Sequence, residues 1–62
     1  MTAGQKLRQL RGERTKQEIA NAIGISLSSY IKYERDERIP RDDVKRLLAK
    51  HFKVSVSSIF FA

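Results

Sequence analysis

The 62-residue sequence predicts an all-α fold, a compact bundle of about five short helices making one domain over residues 1–62. Three observations predict it. Apolar residues recur at helical three- and four-residue spacing in successive short segments. Hydroxyl residues stand just before apolar segments at Thr2, Thr15, Ser26 and Ser55, where a side-chain oxygen can take up a free amide of a helix start. No stretch alternates with period two for long enough to compete as a strand, FKVSVSSIFF (52–61) being the best rival.

The first helix is expected from Thr2 to about Glu13. Thr2 and Gln5 have the spacing of a capping box, in which the hydroxyl takes an amide three residues on and the longer side chain reaches back. Ala3, Leu7 and Leu10 make its apolar stripe, Lys6, Arg8, Gln9 and Arg14 face outward, and Gly12 marks its end. The second helix, about 16–23, opens with Thr15 and Glu18 at the same spacing and carries Ile19, Ala20 and Ile23 on one face. Gly24 ends it, because glycine enters the left-handed conformation without a Cβ penalty. Ser26 then caps a third helix, about 27–35, carrying Tyr30, Tyr33 and Glu34.

RDERIP (35–40) reads as a charged loop closed by Pro40, which biases Ile39 away from helix. The fourth helix is expected from about Arg41 to Phe52, with Asp42 and Asp43 at its positive N-terminus. Val44, Leu47, Leu48, His51 and Phe52 fall on one face; Lys45, Arg46, Lys50 and Lys53 take the other side or the C-terminal end. Ser55 caps a short last helix with Val56, Ile59 and Phe60.

Composition narrows the function classes. There is no cysteine and one histidine, His51, so neither a disulfide nor a zinc centre is expected, and no metal or cofactor with it. No apolar run nears the roughly 20 residues of a membrane span, and MTAGQK lacks a signal-peptide core. The expected compartment is the cytosol. Thirteen Lys and Arg against seven Asp and Glu leave +6, which points to a polyanion as partner. An anionic membrane is the lesser reading, since no segment pairs a basic face with a broad bulky apolar one. Paired carboxylates, a nucleophile with its base and a phosphate-cradling loop are all missing at meaningful spacing, so no enzyme and no small-molecule ligand are expected.

A helix of about eight residues, a glycine turn and a second helix is the sequence form of a helix-turn-helix. With LRQLR (7–11), QEIANAIGIS (17–26), YERDERIP (33–40) and AKHFKVSVSSIF (49–60), the chain resembles the Xre family, the lambda-repressor-like (Cro/CI-type) helix-turn-helix domains, over nearly its whole length. The resemblance implies a double-stranded DNA partner, helices two and three forming the motif, and the third helix in the major groove. It puts base readers at Leu27, Ser28, Ser29 and Lys32. Lys32 can bond guanine O6 or N7, the serines serve donor or acceptor, and Leu27 suits a thymine methyl or a partner. The bland alternative, serines that only cap and solvate the helix start, is preferred for Ser26 and open for Ser28.

Phosphate contacts are implied for Gln17, at a helix start whose free amides face the same anion, with Lys16 adding charge. The loop around Arg35, Arg38 and Arg41 is where the family touches the backbone, and at least one of the three is expected to do so. Arg11 and Glu34 match an ion pair that ties the first helix to the end of the third. Tyr30 and Tyr33 match core positions, and His51 reads as a helix-end residue beside Phe52.

Three departures mark this chain. The link between LRQLR and Gln17 is one residue shorter than usual, which puts the Arg11 register to the test. Asp36 stands where glycine is typical. Asp42 and Lys45 stand where aliphatics are common, which predicts a rotated fourth helix. Val56, Phe60 and Phe61 are candidates for a homodimer seam on a near-palindromic operator, the alternative being a tail folded over its own core.

The function expected is a sequence-specific transcriptional regulator, a phage or prophage Cro-like or stand-alone Xre-type repressor in a bacterial or phage setting. With no room for a sensor in 62 residues, regulation is expected through dimerisation, concentration and competition for the site. The rival is an antitoxin or anti-repressor acting mainly through a protein partner.

Overall fold

A computed structural model describes residues 1–61. Five helices follow one another: α1 (Ala3–Arg11), α2 (Lys16–Ile23), α3 (Leu27–Glu34), α4 (Asp42–Phe52) and α5 (Val56–Phe60). Local chemistry sets most of their ends. Thr2, Thr15, Ser26 and Ser55 each accept the amide three residues on, at Gln5, Glu18, Ser29 and Ser58. At Thr2 the box is complete, since Gln5 Oε1 accepts the Thr2 amide at 2.9 Å. At Thr15 only the hydroxyl half forms among the described residues, and Glu18 stays exposed.

Four boundaries, at both ends of α1, the end of α3 and the start of α4, differ from the sequence expectation by one or two residues. α1 stops at Arg11, because Gly12 adopts φ 61°, ψ −128°, a conformation that glycine tolerates and that breaks the helix outright. α4 starts at Asp42, with Arg41 extended before it and giving no side-chain cap. Asp42 and Asp43 still occupy the positive first turn.

The helices close around one core of Leu7, Ile19, Ala20, Tyr30, Tyr33, Val44, Leu48, Ala49 and Ile59, to which every helix contributes. Tyr30 is its largest fully buried side chain. Burial of this kind stabilises by roughly 1.5–3 kcal/mol for each large side chain, and it holds α3 from behind while the opposite face stays free. α1 and α2 flank α3, whereas α4 bridges α2 and α5.

The buried stripe of α4 runs through Val44, Leu48 and Ala49, and Leu47 is 42% exposed, not in the stripe. Lys45, expected on the outer side, is only 15% exposed. The cause lies in α5. Its C-terminal aromatics reach back over α4, and the Lys45 ammonium sits 5.4 Å from the Phe60 ring centre and 5.2 Å from that of Phe61. A cation–aromatic contact makes a buried lysine stem tolerable, which lets the helix roll toward α5.

Candidate nucleic-acid interface

The α2–α3 junction is built by one residue. Gly24 takes φ 79°, ψ 33°, the left-handed conformation that reverses the chain without a Cβ clash. The amides of Gly24 and Ile25 both close on the Ala20 carbonyl, at 2.9 and 3.0 Å. Ser26 then restarts the helix: its hydroxyl accepts the Ser29 amide at 3.1 Å and donates to Ser29 Oγ at 3.0 Å. Residues so joined hold α3 at a set angle to α2.

With Tyr30, Tyr33 and Glu34 turned inward, α3 presents the opposite side to solvent. Ser28 is exposed, and Ser29 and Lys32 are half-buried. Lys32 has no ion pair among the described residues, so its charge is available to an outside acceptor. Leu27, at the first turn of the helix, is half-buried. Ser29 is engaged on two sides, because Arg38 Nη1 also donates to its hydroxyl at 3.4 Å.

The residues expected at phosphates fall at two places. At the start of α2, Lys16 is half-buried and Gln17 exposed, with the Gln17 amide donating to Asn21 Oδ1 at 2.8 Å. Beyond α3, Arg35 lies 3.9 Å from Glu37 and Arg41 lies 3.6 Å from Asp43, all four well exposed. Pairs this open are worth no more than about 1 kcal/mol and exchange readily for a stronger anion. Glu37 and Asp43 therefore dilute the charge of Arg35 and Arg41 only weakly.

Behind this face lies a buried ionic contact. Glu34 is 3% exposed and is held by a two-pronged fork from Arg11, Nε at 2.7 Å and Nη2 at 3.1 Å. Arg11 Nη1 also donates to the Arg14 carbonyl at 2.8 Å, which ties the same side chain to the link between α1 and α2. The hydrogen bond to Glu34 raises the Arg11 pKa, outweighing partial desolvation. Tyr30 lies beside this pair with its hydroxyl buried and, among the described residues, without a hydrogen-bond partner of good geometry. Burial, with the Glu34 carboxylate second, pushes the Tyr30 pKa well above the usual tyrosine range.

Sequence reading passed over three features of this region. Ile39 is 80% exposed beside Pro40. Lys45 is covered by the Phe60 and Phe61 rings, with Phe61 itself 69% exposed, Phe60 half-buried and Val56 half-buried. Asp36, at φ 59°, bonds back to the first turn of α1. Its signal was present in the sequence, as an Asp where a left-handed residue is needed, but its partner was not.

Among the described residues no group of His, Cys, Asp and Glu could hold a metal ion, and no helix is long and apolar enough to cross a membrane. The chain is similar to the cryptic phage CTXphi transcriptional repressor RstR of Vibrio cholerae, 34% identical over 56 residues. That similarity takes in 87% of this chain, which spans about half (50%) of the repressor's length. No solved structure matches the chain. A helix-turn-helix family model matches residues 5–59, from α1 through the Gly24 turn and into α5, and the chain belongs to that family, the Xre (Cro/CI-type) helix-turn-helix proteins.

Proposed function

We propose that this chain is a sequence-specific double-stranded DNA-binding transcriptional regulator of the repressor type, with α3 inserted in the major groove. The observation that carries the reading is the outward side of α3. Ser28 is exposed there and Leu27, Ser29 and Lys32 are half-buried beside it, Lys32 having no ion pair among the described residues, with a basic loop beyond. Helix-turn-helix proteins read base edges from this side of the second helix of the motif. The family membership and the CTXphi repressor's likeness support the same role.

Lys32 reads guanine, Ser28 and Ser29 read a donor or acceptor, and Leu27 meets a thymine methyl across a partly covered side chain. Lys16, Gln17 and at least one of the arginines at 35, 38 and 41 bind phosphates on either side, the Gln17 amide leaving Asn21 to do so. Arg11 and Glu34 hold the reading helix in place.

The chain acts as a homodimer on a near-palindromic site, with Phe61, joined by Phe60 or Val56, at the seam. Size supports this. The Cα trace measures 25 × 23 × 21 Å, and side chains add about 6 Å across. Two such bodies come close to touching at a half-site spacing of about 34 Å. A Phe61→Ser chain should sediment as monomer where the parent forms dimers; identical dimerisation by both would remove Phe61 from the seam.

Selection of binding sites from a random duplex pool, at two salt concentrations, tests the function. Enrichment of a near-palindrome is expected. With about six phosphate contacts per dimer, the log–log dependence of affinity on salt should have a slope of about −5. Salt-sensitive binding without an enriched motif would overturn sequence-specific regulation and bring forward a role through a protein partner.

A further inference from the structure

Asp36 is not used in the account of base and phosphate contacts. It follows α3 at φ 59°, a left-handed backbone that Asp enters more readily than most residues. This turn sends its carboxylate back to the first turn of α1. One oxygen accepts the Thr2 hydroxyl at 2.7 Å and the other accepts the Gly4 amide at 2.9 Å. The Gly4 amide is among those a helix start leaves free, and the positive end of α1 favours a negative charge there. The approach is close. A Cβ on Gly4 would overlap the Glu34 carbonyl oxygen and lie 2.8 Å from Asp36 Oδ2. At its other end, α1 grips the Glu34 side chain through Arg11. α1 is thus fastened to the end of α3 at both of its own ends.

We infer that Asp36 is a positioning residue for base reading, one that touches no DNA and sets the tilt of α3 against α1 through Thr2 and Gly4. This rests on the sequence-specific reading above. The clamp is at the C-terminal end of α3, whereas the base-reading side chains begin at its N-terminal end. A helix of eight residues is about 12 Å long. A tilt of about 5° at the clamp therefore moves Leu27 and Ser28 by about 1 Å, enough to spoil hydrogen-bond geometry at a base edge.

The test compares Asp36→Gly, Asp36→Asn and Glu37→Gln with the parent on the selected site and on a scrambled duplex. Circular dichroism first identifies a temperature at which all four are folded. Asp36→Gly keeps the left-handed backbone and loses the carboxylate; Asp36→Asn keeps an acceptor for Thr2 or Gly4. Glu37→Gln makes the same charge change at a side chain 52% exposed whose ion-pair partner is Arg35. Discrimination between the two duplexes should fall roughly tenfold in Asp36→Gly, recover most of the way in Asp36→Asn, and stay at the parent value in Glu37→Gln. Unchanged discrimination in folded Asp36→Gly, or an equal loss in Glu37→Gln, would overturn the positioning role. If the parent itself enriches no site, the specific-regulator reading has failed, and residual dipolar couplings then decide Asp36 separately. A changed α1–α3 angle in Asp36→Gly supports the clamp, and an unchanged angle overturns it.

Discussion

Replacing Arg11 by alanine should destabilise the fold by about 3 kcal/mol. Glu34 is 2% exposed at its side chain, and its two oxygens are occupied by Arg11 Nε at 2.7 Å and Nη2 at 3.1 Å. Without the guanidinium, a carboxylate is left in the interior with no strong donor. Removing one partner of a fully buried pair costs about 3–5 kcal/mol. Arg11 retains 17% exposure, so water can enter the vacated space and the lower end applies. The loss of the bond to the Arg14 carbonyl adds little, because that group is already near solvent. A chain of this length has a total stability of roughly 3–9 kcal/mol, and each 1 kcal/mol is worth about 4–8 °C in Tm. The expected drop is therefore about 12–24 °C, read by circular dichroism and by urea titration. Arg8 supplies the internal control. Its Nε is 4.0 Å from the same carboxylate and its side chain is 63% exposed, so Arg8→Ala should cost less than about 1 kcal/mol. The double change Arg11→Met with Glu34→Leu should recover most of the Arg11→Ala loss, since it removes both charges. Equal costs for Arg8→Ala and Arg11→Ala would refute the reasoning, because burial and fork geometry would then have made no difference.

Other outcomes follow from the same structure. Gly4→Ala should cost about 1–3 kcal/mol, as overpacking does, because the added methyl meets the Glu34 backbone, which cannot move aside cheaply; a melt at the parent temperature would contradict the close approach of α1 and α3. Tyr30 should make the fold alkali-sensitive. Its folded pKa is raised above the ordinary value of 10.0, so below pH 10 both states keep the proton and the contribution is whole. Above pH 10 the unfolded chain loses its proton first, and stability falls by up to about 1.4 kcal/mol per pH unit. Tyr30→Phe should therefore be near neutral at pH 7 and increasingly advantageous from pH 10 upward; urea titrations that stay parallel across that range would remove the argument. On DNA, Lys32→Ala should cost about 1–3 kcal/mol on the selected site and little on scrambled sequence, whereas Gln17→Ala should weaken both alike. Equal effects of the two substitutions on both duplexes would erase the distinction between base and phosphate contacts.

The amino-acid sequence alone determined the succession of five helices, and the reason is range. Capping at Thr2, Thr15, Ser26 and Ser55 acts across three residues, and the left-handed turn at Gly24 is a property of one residue's missing Cβ. An apolar face at helical spacing is likewise a statement about neighbours. Together these made the helix-turn-helix legible, along with the side of α3 that Tyr30 and Tyr33 leave free. Tertiary structure decided what local patterning could not express. Leu47 fits the helical stripe of α4 as well as Lys45 does not, yet the aromatics of α5 turned Lys45 inward and Leu47 out. Leu27 has helical neighbours that say nothing of how far it is covered. Asp36 could be read as a residue able to take a positive φ, but its partners Thr2 and Gly4 lie more than thirty positions away. Which side chains meet across such distances depends on how helices of set length pack into one core, and that packing fixes the angle of α3, on which any reading of DNA depends.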